Sequence, residues 1–375
     1  MIDWSYVPFQ VIQYHSLINT QIQTYILTIL PSSMSSDLQG AILGMCNPLL
    51  DISAEVPLDL LKKYGVELNN AILAEEKHMP LYKELVADYP VQYIAGGATQ
   101  NSIRVAQWML GTPGCTAYFG CVGQDEYGDK LQSCASDDGV LVHYQRAADV
   151  PTGTCAVLVN GGERSLVANL GAANSFTASH LESKASEEII DRSKIIYISG
   201  FFLTVSVDAI MKTATHCVEK NKIFCMNLSA PFLIEFFGSQ MAETMPFCDI
   251  VFGNESEAAA YGKAKGYGED LATIGLKLAA QPKASGTRSR MVVFTQGSDC
   301  TIVVHEGNVQ KFDVEKLPKE LLVDTNGAGD AFVGGFLAQL VQKKSVAECV
   351  RAGHFAARTI IQRSGCTFPK ECDFV

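Results

Sequence analysis

Asp324-Thr325-Asn326-Gly327-Ala328-Gly329-Asp330 runs straight into Ala331-Phe332-Val333-Gly334-Gly335-Phe336-Leu337-Ala338-Gln339-Leu340. Three small residues stand where a chain would turn into a helix. Phe332, Phe336 and Leu340 then recur every four residues and give that helix an apolar side. A helix start made of bare glycines presents unpaired N–H groups and the positive end of the helix dipole, a site for phosphate charge. Asp330 falls in the first turn, where the dipole favours its ionised form, and a carboxylate there can accept a hydroxyl proton beside a phosphoryl group. The plainer alternative is that Asp330 steadies the helix end while the glycines serve packing. For an isolated GxGD that alternative is at least as good.

Working outward, short apolar runs alternate with helical stretches. Ile195–Ser199, Ile223–Leu228, Ile250–Phe252 and Met291–Thr295 read as strands buried on both faces, with helices near Val205–Lys220, Glu255–Lys265 and Asp270–Ala280 between them. Alternation of this kind predicts an α/β fold, a mostly parallel sheet flanked by helices, with its ligands beyond the carboxyl ends of the strands. Earlier in the chain, Ala41–Val56 holds two apolar runs broken at Asn47-Pro48. Ala98–Leu110 has helical spacing, Thr116–Val122 is strand-like, and Asp125–Ala135 reads as a helix. Pro151–Asn169 differs: two extended runs around Gly161-Gly162-Glu163-Arg164 signal a hairpin. With pieces near 53–57 and 91–95 it predicts a small, separate β-sheet. Ala284–Arg290 reads as an exposed loop.

Three further turns follow predicted strands. Asn254 and Glu257, three apart at a helix start, could hold a hydrated Mg²⁺ near phosphates, although a helix cap accounts for them equally well. Thr295-Gln296-Gly297 could hold phosphate or ribose, and is otherwise ordinary turn chemistry. Gly96-Gly97-Ala98-Thr99-Gln100-Asn101 opens a helix and permits close approach of a ligand to the backbone. Asn47 and Asp51 flank the break in the first strand region, and a carboxylate there suits a cis-diol; a turn and a cap explain them as well.

The chain has 375 residues, 47% hydrophobic and 18% charged, enough for one large α/β domain with a smaller accessory piece. A net charge of −11 argues against nucleic acid or an anionic membrane as partner. Twelve cysteines are scattered without a CxxC and read as thiols of a reducing compartment. From Trp4 to Ser36 there is no charged residue, yet the run Val11–Leu30 is too polar for a comfortable membrane span and lacks the marks of a targeting peptide. Residues 1–40 are expected to be a loosely ordered extension, with Met34 an alternative start. Residues 41–375 form the catalytic domain.

Together these strings resemble the ribokinase-like (carbohydrate kinase PfkB) family, and within it the adenosine kinases, plant-type members above all. The matching segments are Asn47–Ser53 (NPLLDIS), Ala95–Ser102 (AGGATQNS), Arg104–Met109, Pro151–Ala156, Gly200–Ser206 (GFFLTVS), Asn227–Phe232, Phe252–Ala258, Asp324–Phe336 and the closing SGCTFP. The resemblance implies a three-layer sandwich with a small β-lid, and Mg²⁺-dependent transfer of the ATP γ-phosphate to the 5′-hydroxyl of adenosine, by a cytoplasmic monomer, the nucleus being a further location. Carried over by position, Asp330 is the base, and the amides of Gly327, Ala328, Gly329 and Asp330 form the anion hole. Asp51 holds the ribose hydroxyls with Gly97 and Asn101, while Asn47, Leu166, Ala168 and Phe201 line the nucleoside pocket near Ala98. Arg164 reaches the phosphates as the lid closes. Asn254 and Glu257 organise Mg²⁺, and Thr295, Gly297, Asn326 and His354 contact ATP.

Cys46, where the family typically has Gly, is expected to crowd the turn carrying Asn47 and Asp51. Ala71 and Ala98 stand where animal members have Gln and Ser, and Gly171 is expected to loosen the lid strand. A ribokinase-type sugar kinase shares the GxGD turn but not Phe201 together with the NPLLDIS and lid strings. A catalytically silent nucleoside-binding protein would not need Asp330, Arg164, Asn254 and Glu257. A dinucleotide-dependent dehydrogenase is remote, since no GxGxxG follows the first strand.

Overall fold

A computed structural model describes residues 36–375 other than 69 and 162. The expectation for the N-terminal extension lies outside the described residues up to position 35. Fourteen strands are present among the described residues: β1 (Ile42–Met45), β2 (Leu49–Glu55), β3 (Ala71–Leu73), β4 (Gln92–Gly96), β5 (Thr116–Gly123), β6 (Leu141–Ala147), β7 (Thr154–Asn160), β8 (Glu163–Asn169), β9 (Ile195–Ser199), β10 (Ile223–Asn227), β11 (Ile250–Asn254), β12 (Met291–Gln296), β13 (Asp299–His305) and β14 (Asn308–Phe312). Nine build a large sheet in the order β14-β13-β12-β11-β10-β9-β1-β5-β6. It is parallel from β6 to β12, and the hairpin β13–β14 runs antiparallel at one edge.

Alternation along the strands divides the core. Ile196, Ile198, Phe224, Met226, Val251, Val292 and Phe294 pack with Ala209, Ile210, Ala258, Tyr261, Ile274 and Leu278, from the helices Val207–Glu219, Glu255–Lys265 and Leu271–Ala279. Residues of opposite parity turn to the other face. There Tyr197 stands edge-on to Phe252, and Phe252 edge-on to Phe336 of the helix Ala328–Leu340, with ring centroids 6.2 and 5.3 Å apart. Helices on both faces explain why these strands read as unbroken apolar runs. The α/β sandwich expected from the sequence is therefore the fold.

Five strands form a second, smaller sheet, β3-β8-β7-β2-β4. One face carries Ile52, Ala54, Ala156, Leu158 and Val167 against Leu60, Leu61, Leu81 and Leu85 of two covering helices. The other carries Cys155, Val157, Leu166 and Ala168, and Asp51 stands in register with Cys155 on that side. The break at Asn47-Pro48 thus moves the chain from one sheet to the other.

Several expectations need correction. Asn160 pairs with Glu163, so Glu163 and Arg164 already belong to β8 and the hairpin turn is two residues long. β3 escaped sequence reading because three residues carry no periodicity. Gly171 lies beyond β8, at the start of a 3₁₀ turn with φ of 44°, where a Cβ would come within 2.4 Å of the Pro151 carbonyl. The turn requires a glycine there, and no lid strand is loosened. The Cys46 thiol is buried and lies 3.0 Å from the Ser199 hydroxyl.

Arg290 is the other correction. The loop Ala284–Arg290 is largely exposed, but Arg290 is 1% exposed and donates to the carbonyls of Cys248, Leu278, Gln281, Met245 and Pro282. Each buried carbonyl left without a donor costs about 1–3 kcal/mol. Arg290→Met is accordingly expected to lose about 3 kcal/mol or more, read as a lowered urea midpoint. A midpoint like that of the wild type would contradict this account.

Candidate active site

Strand order in the large sheet reverses at β1, with β5 on one side and β9 on the other, a topology that leaves a crevice at the carboxyl ends of the strands. A cleft opens there. Its walls come from the ends of four successive strands, Ser199 and Phe201 after β9, Asn227 and Ser229 after β10, Asn254 and Glu257 after β11, and Thr295 at the end of β12. Ala98, Gly329 and Asp330 close it from two helix starts.

Those two starts differ from six others. Asp125, Ser183, Ser206, Asn254, Asp270 and Ser345 each cap a helix with a side-chain oxygen. The helices Ala98–Leu110 and Ala328–Leu340 begin instead on Gly97 and Gly327, without a side-chain cap. Gly97 has φ of 95°, and a Cβ there would lie 2.3 Å from the Asn47 carbonyl oxygen. Gly327 has φ of 78°, in the left-handed region that favours glycine. The Ala328 N–H donates to the Thr325 carbonyl and the Ala331 N–H to Gly327, which leaves the Gly329 and Asp330 amides as the unclaimed donors of the first turn. Of the four amides expected from the sequence, the Ala328 N–H is the one spent on a backbone carbonyl among the described residues.

Asp330 enters the cleft at this end and accepts a hydrogen bond from Asn101 Nδ2 at 3.0 Å. Burial pushes its carboxyl up to about 7; the Asn101 bond opposes the rise, and the neighbouring Glu257 and Asp51 add to it. Asp51 is likewise held at about 7, by burial first, with Arg104 and Arg164 pulling it down. Glu257 also stands at about 7, again by burial, against the N–H groups of Asn254 and Ser229. Two carboxyl groups in the cleft, and Asp51 near enough to act on Asp330, are thus all raised by burial. Two nearby amides carry unspent capacity: Asn47 Oδ1 and Asn101 Oδ1 are buried and accept no hydrogen bond among the described residues. Buried acceptors of this kind call for a partner.

Asn254 and Glu257 form a reciprocal cap. Asn254 Oδ1 accepts from the Glu257 N–H at 2.9 Å, and Glu257 accepts from the Asn254 backbone and side-chain nitrogens at 3.0 and 2.8 Å. The cap read from the sequence is thus formed, and both residues line the cleft. Phe201 lines the cleft, and its ring lies 6.2 Å from that of Phe232, which sequence reasoning did not single out. Leu166 and Ala168 lie on the same face of the small sheet as Cys155, beside Asp51.

Of the predicted residues, the cleft wall holds Ala98, Phe201, Asn254, Glu257, Thr295, Gly329 and Asp330, and the others lie outside it. Gly297 is exposed past the end of β12, and Asn326 is exposed with its N–H on Asp324 Oδ1 at 3.0 Å. His354 lies 2.8 Å from the Thr301 hydroxyl and beside the Phe332 ring. Arg164, expected at the phosphates, is paired with Asp324 at 3.1 Å and bonded to the Ser364 hydroxyl. Sequence reasoning also missed Arg104, whose buried guanidinium joins Asp138, the Ala95 carbonyl and the Cys366 carbonyl. A lone Arg inside an apolar helical stretch was the available signal.

The family model described as pfkB family carbohydrate kinase matches residues 59–372, and the chain belongs to this family. Similar proteins within it include adenosine kinases. Adenosine kinase 2 of Arabidopsis thaliana is 53% identical over 341 residues, covering 91% of this chain and 99% of the plant protein. The Dictyostelium discoideum adenosine kinase is 47% identical, covering 86% and 95%. Among solved structures, Anopheles gambiae adenosine kinase in complex with P1,P4-di(adenosine-5) tetraphosphate matches with a TM-score of 0.83 and 53% identity, over 90% of this chain and 99% of that one.

The raised carboxyl of Asp330 has a consequence for stability. A folded-state value of about 7 against an ordinary 3.8 means that the fold binds this proton more tightly than the unfolded chain does. The contribution is complete below about 4 and lost as pH rises to about 7. Asp330→Asn removes the charge that must be buried, so the variant is expected to melt above the wild type at pH 8, with the difference shrinking toward pH 5. Calorimetry without ligands checks this, and a difference that widened on acidification would contradict it.

Proposed function

We infer that this chain is an adenosine kinase, transferring the γ-phosphoryl group of ATP to the 5′-hydroxyl of adenosine and releasing AMP and ADP. The observation that carries the reading is Asp330 in the first turn of a glycine-started helix, its carboxyl in the cleft beside two unclaimed amides. The named relatives and the bound ligand of the similar mosquito enzyme support it.

Adenosine enters between the two sheets. Asp51 takes the ribose hydroxyls with Asn47 and Asn101, whose Oδ1 atoms are buried and unpaired among the described residues, while Phe201, Leu166 and Ala168 supply apolar surface to the base. ATP approaches from the side of Thr295, Gly297, Asn326 and His354. Asp330 takes the 5′-hydroxyl proton as the new O–P bond forms and the bond to ADP breaks. The Gly329 and Asp330 N–H groups meet the charge spread over the transferring phosphoryl oxygens. The small sheet, acting as a lid, keeps water from competing with the 5′-hydroxyl.

The cleft's donors suit a hard cation: they are oxygens, and Glu257 is a buried carboxyl with no cationic side chain beside it among the described residues. Among the described residues no group of three His, Cys, Asp or Glu could hold a metal alone. A hydrated Mg²⁺ carried mainly by the ATP phosphates, near Asn254 and Glu257, would supply charge neutralisation. One chain furnishes every residue named here, so a monomer suffices.

Purified protein given adenosine, ATP and Mg²⁺ is expected to form AMP, and to phosphorylate free ribose far more slowly. Asp330→Asn should lower kcat by about 10²–10⁴-fold, the scale of general-base work. With the wild type, kcat/KM for adenosine should rise with pH through about 7 as Asp330 ionises. Nucleoside binding without AMP, or near-normal turnover by the variant, would overturn the reading.

A further inference from the structure

We propose that Asp324 is a positioning residue that ties the small sheet to the anion hole, so that the hole is fully set only while the small sheet is seated. Its carboxylate is buried and holds three partners from three parts of the chain. Arg164 of β8 meets Oδ2 at 3.1 Å, with both side chains almost wholly buried, 5% and 3% exposed. The Asn326 N–H donates to Oδ1 at 3.0 Å, just before the glycine turn. The Gly365 N–H donates to Oδ2 at 3.1 Å. Arg164 also donates to the Ser364 hydroxyl. The next residue, Cys366, backs the hole itself, its Cβ 3.6 Å from where a Cβ on Gly327 would sit.

The SGC segment at 364–366 thus finds its place. It is pressed between the small sheet, through Arg164 and Ile94, and the start of the helix that carries Asp330. A buried carboxylate that loses its only cationic partner is strongly disfavoured. If the small sheet lifted, Arg164 would leave, and Asp324 would have to turn toward water. That movement would release the Asn326 and Gly365 amides together. Water exclusion and charge stabilisation are therefore linked by one side chain that touches neither substrate. The inference rests on the kinase reading for its consequence in catalysis, but not for the linkage itself.

Two measurements test it. In Arg164→Met, which leaves Asp324 in place, amide hydrogen exchange at Asn326 and Gly365 should quicken by about tenfold relative to the wild type, an effect on the scale of coupled contacts. Unchanged exchange at both amides overturns the proposal. The second is a double-mutant cycle on AMP formation with Arg164→Met and Asp324→Asn. The Arg164→Met loss in kcat should be much smaller when Asp324 is already Asn, and each single variant should form more ADP than AMP as water reaches the phosphoryl group. Losses that multiply, with ADP and AMP still equal, overturn it. If Asp324→Asn does not fold, the exchange result decides alone. A wild type that forms no AMP counts against the kinase reading and leaves the exchange result to judge the clamp.

Discussion

A helix that starts without a side-chain cap, on a glycine with φ of 78°, is the constraint on which the rest of this structure turns. Only glycine takes that backbone conformation cheaply. An Asp or Ser at the same place would spend its oxygen on the first-turn amides, as such residues do at six other helices of the chain. Leaving the cap off sacrifices some local stability and keeps two donors free. The helix Ala98–Leu110 repeats the device on the opposite side of the cleft, with Gly97 bringing the backbone close to Asn47. Both ends point into the crevice where the strand order of the large sheet reverses.

Around these ends the cleft gathers negative charge without a neutralising cation at its centre. Asp330, Asp51 and Glu257 are each raised to about 7 by burial, and Asp330 feels the other two. A site of this kind is poised to exchange protons for a cation and for hydroxyl groups. At the anion hole, backbone amides rather than lysines or arginines provide the positive field. That arrangement agrees with a chain of net charge −11 handling a polyanionic substrate.

Much of this was legible in sequence because the decisive signals are local. Unbroken apolar runs at Ile195–Ser199 and Met291–Thr295 marked strands buried on both faces, and their alternation with helices implied the parallel sheet. The glycine turn before Asp330 was visible as three small residues ahead of an apolar helix. Long-range features were not. β3 is too short to show a period, and the β13–β14 hairpin gave no strong turn signal. Arg290 sat in a polar string that looks like surface, yet its carbonyl partners are gathered from two separate segments, 245–248 and 278–282. The same holds for Arg164: its β-hairpin position could be read, but its pairing with Asp324 depends on how the two sheets meet. Gly171 was misjudged because its constraint is a steric one, set by the Pro151 carbonyl and invisible along the chain.

The most direct measurement is a crystal structure of the protein with adenosine and a non-hydrolysable ATP analogue. The account predicts the 5′-oxygen within hydrogen-bond reach of the Asp330 carboxyl, about 2.6–3.2 Å, and γ-phosphate oxygens on the Gly329 and Asp330 N–H groups. A γ-phosphate bound elsewhere, with the Asp330 carboxyl turned away from the nucleoside, would contradict it.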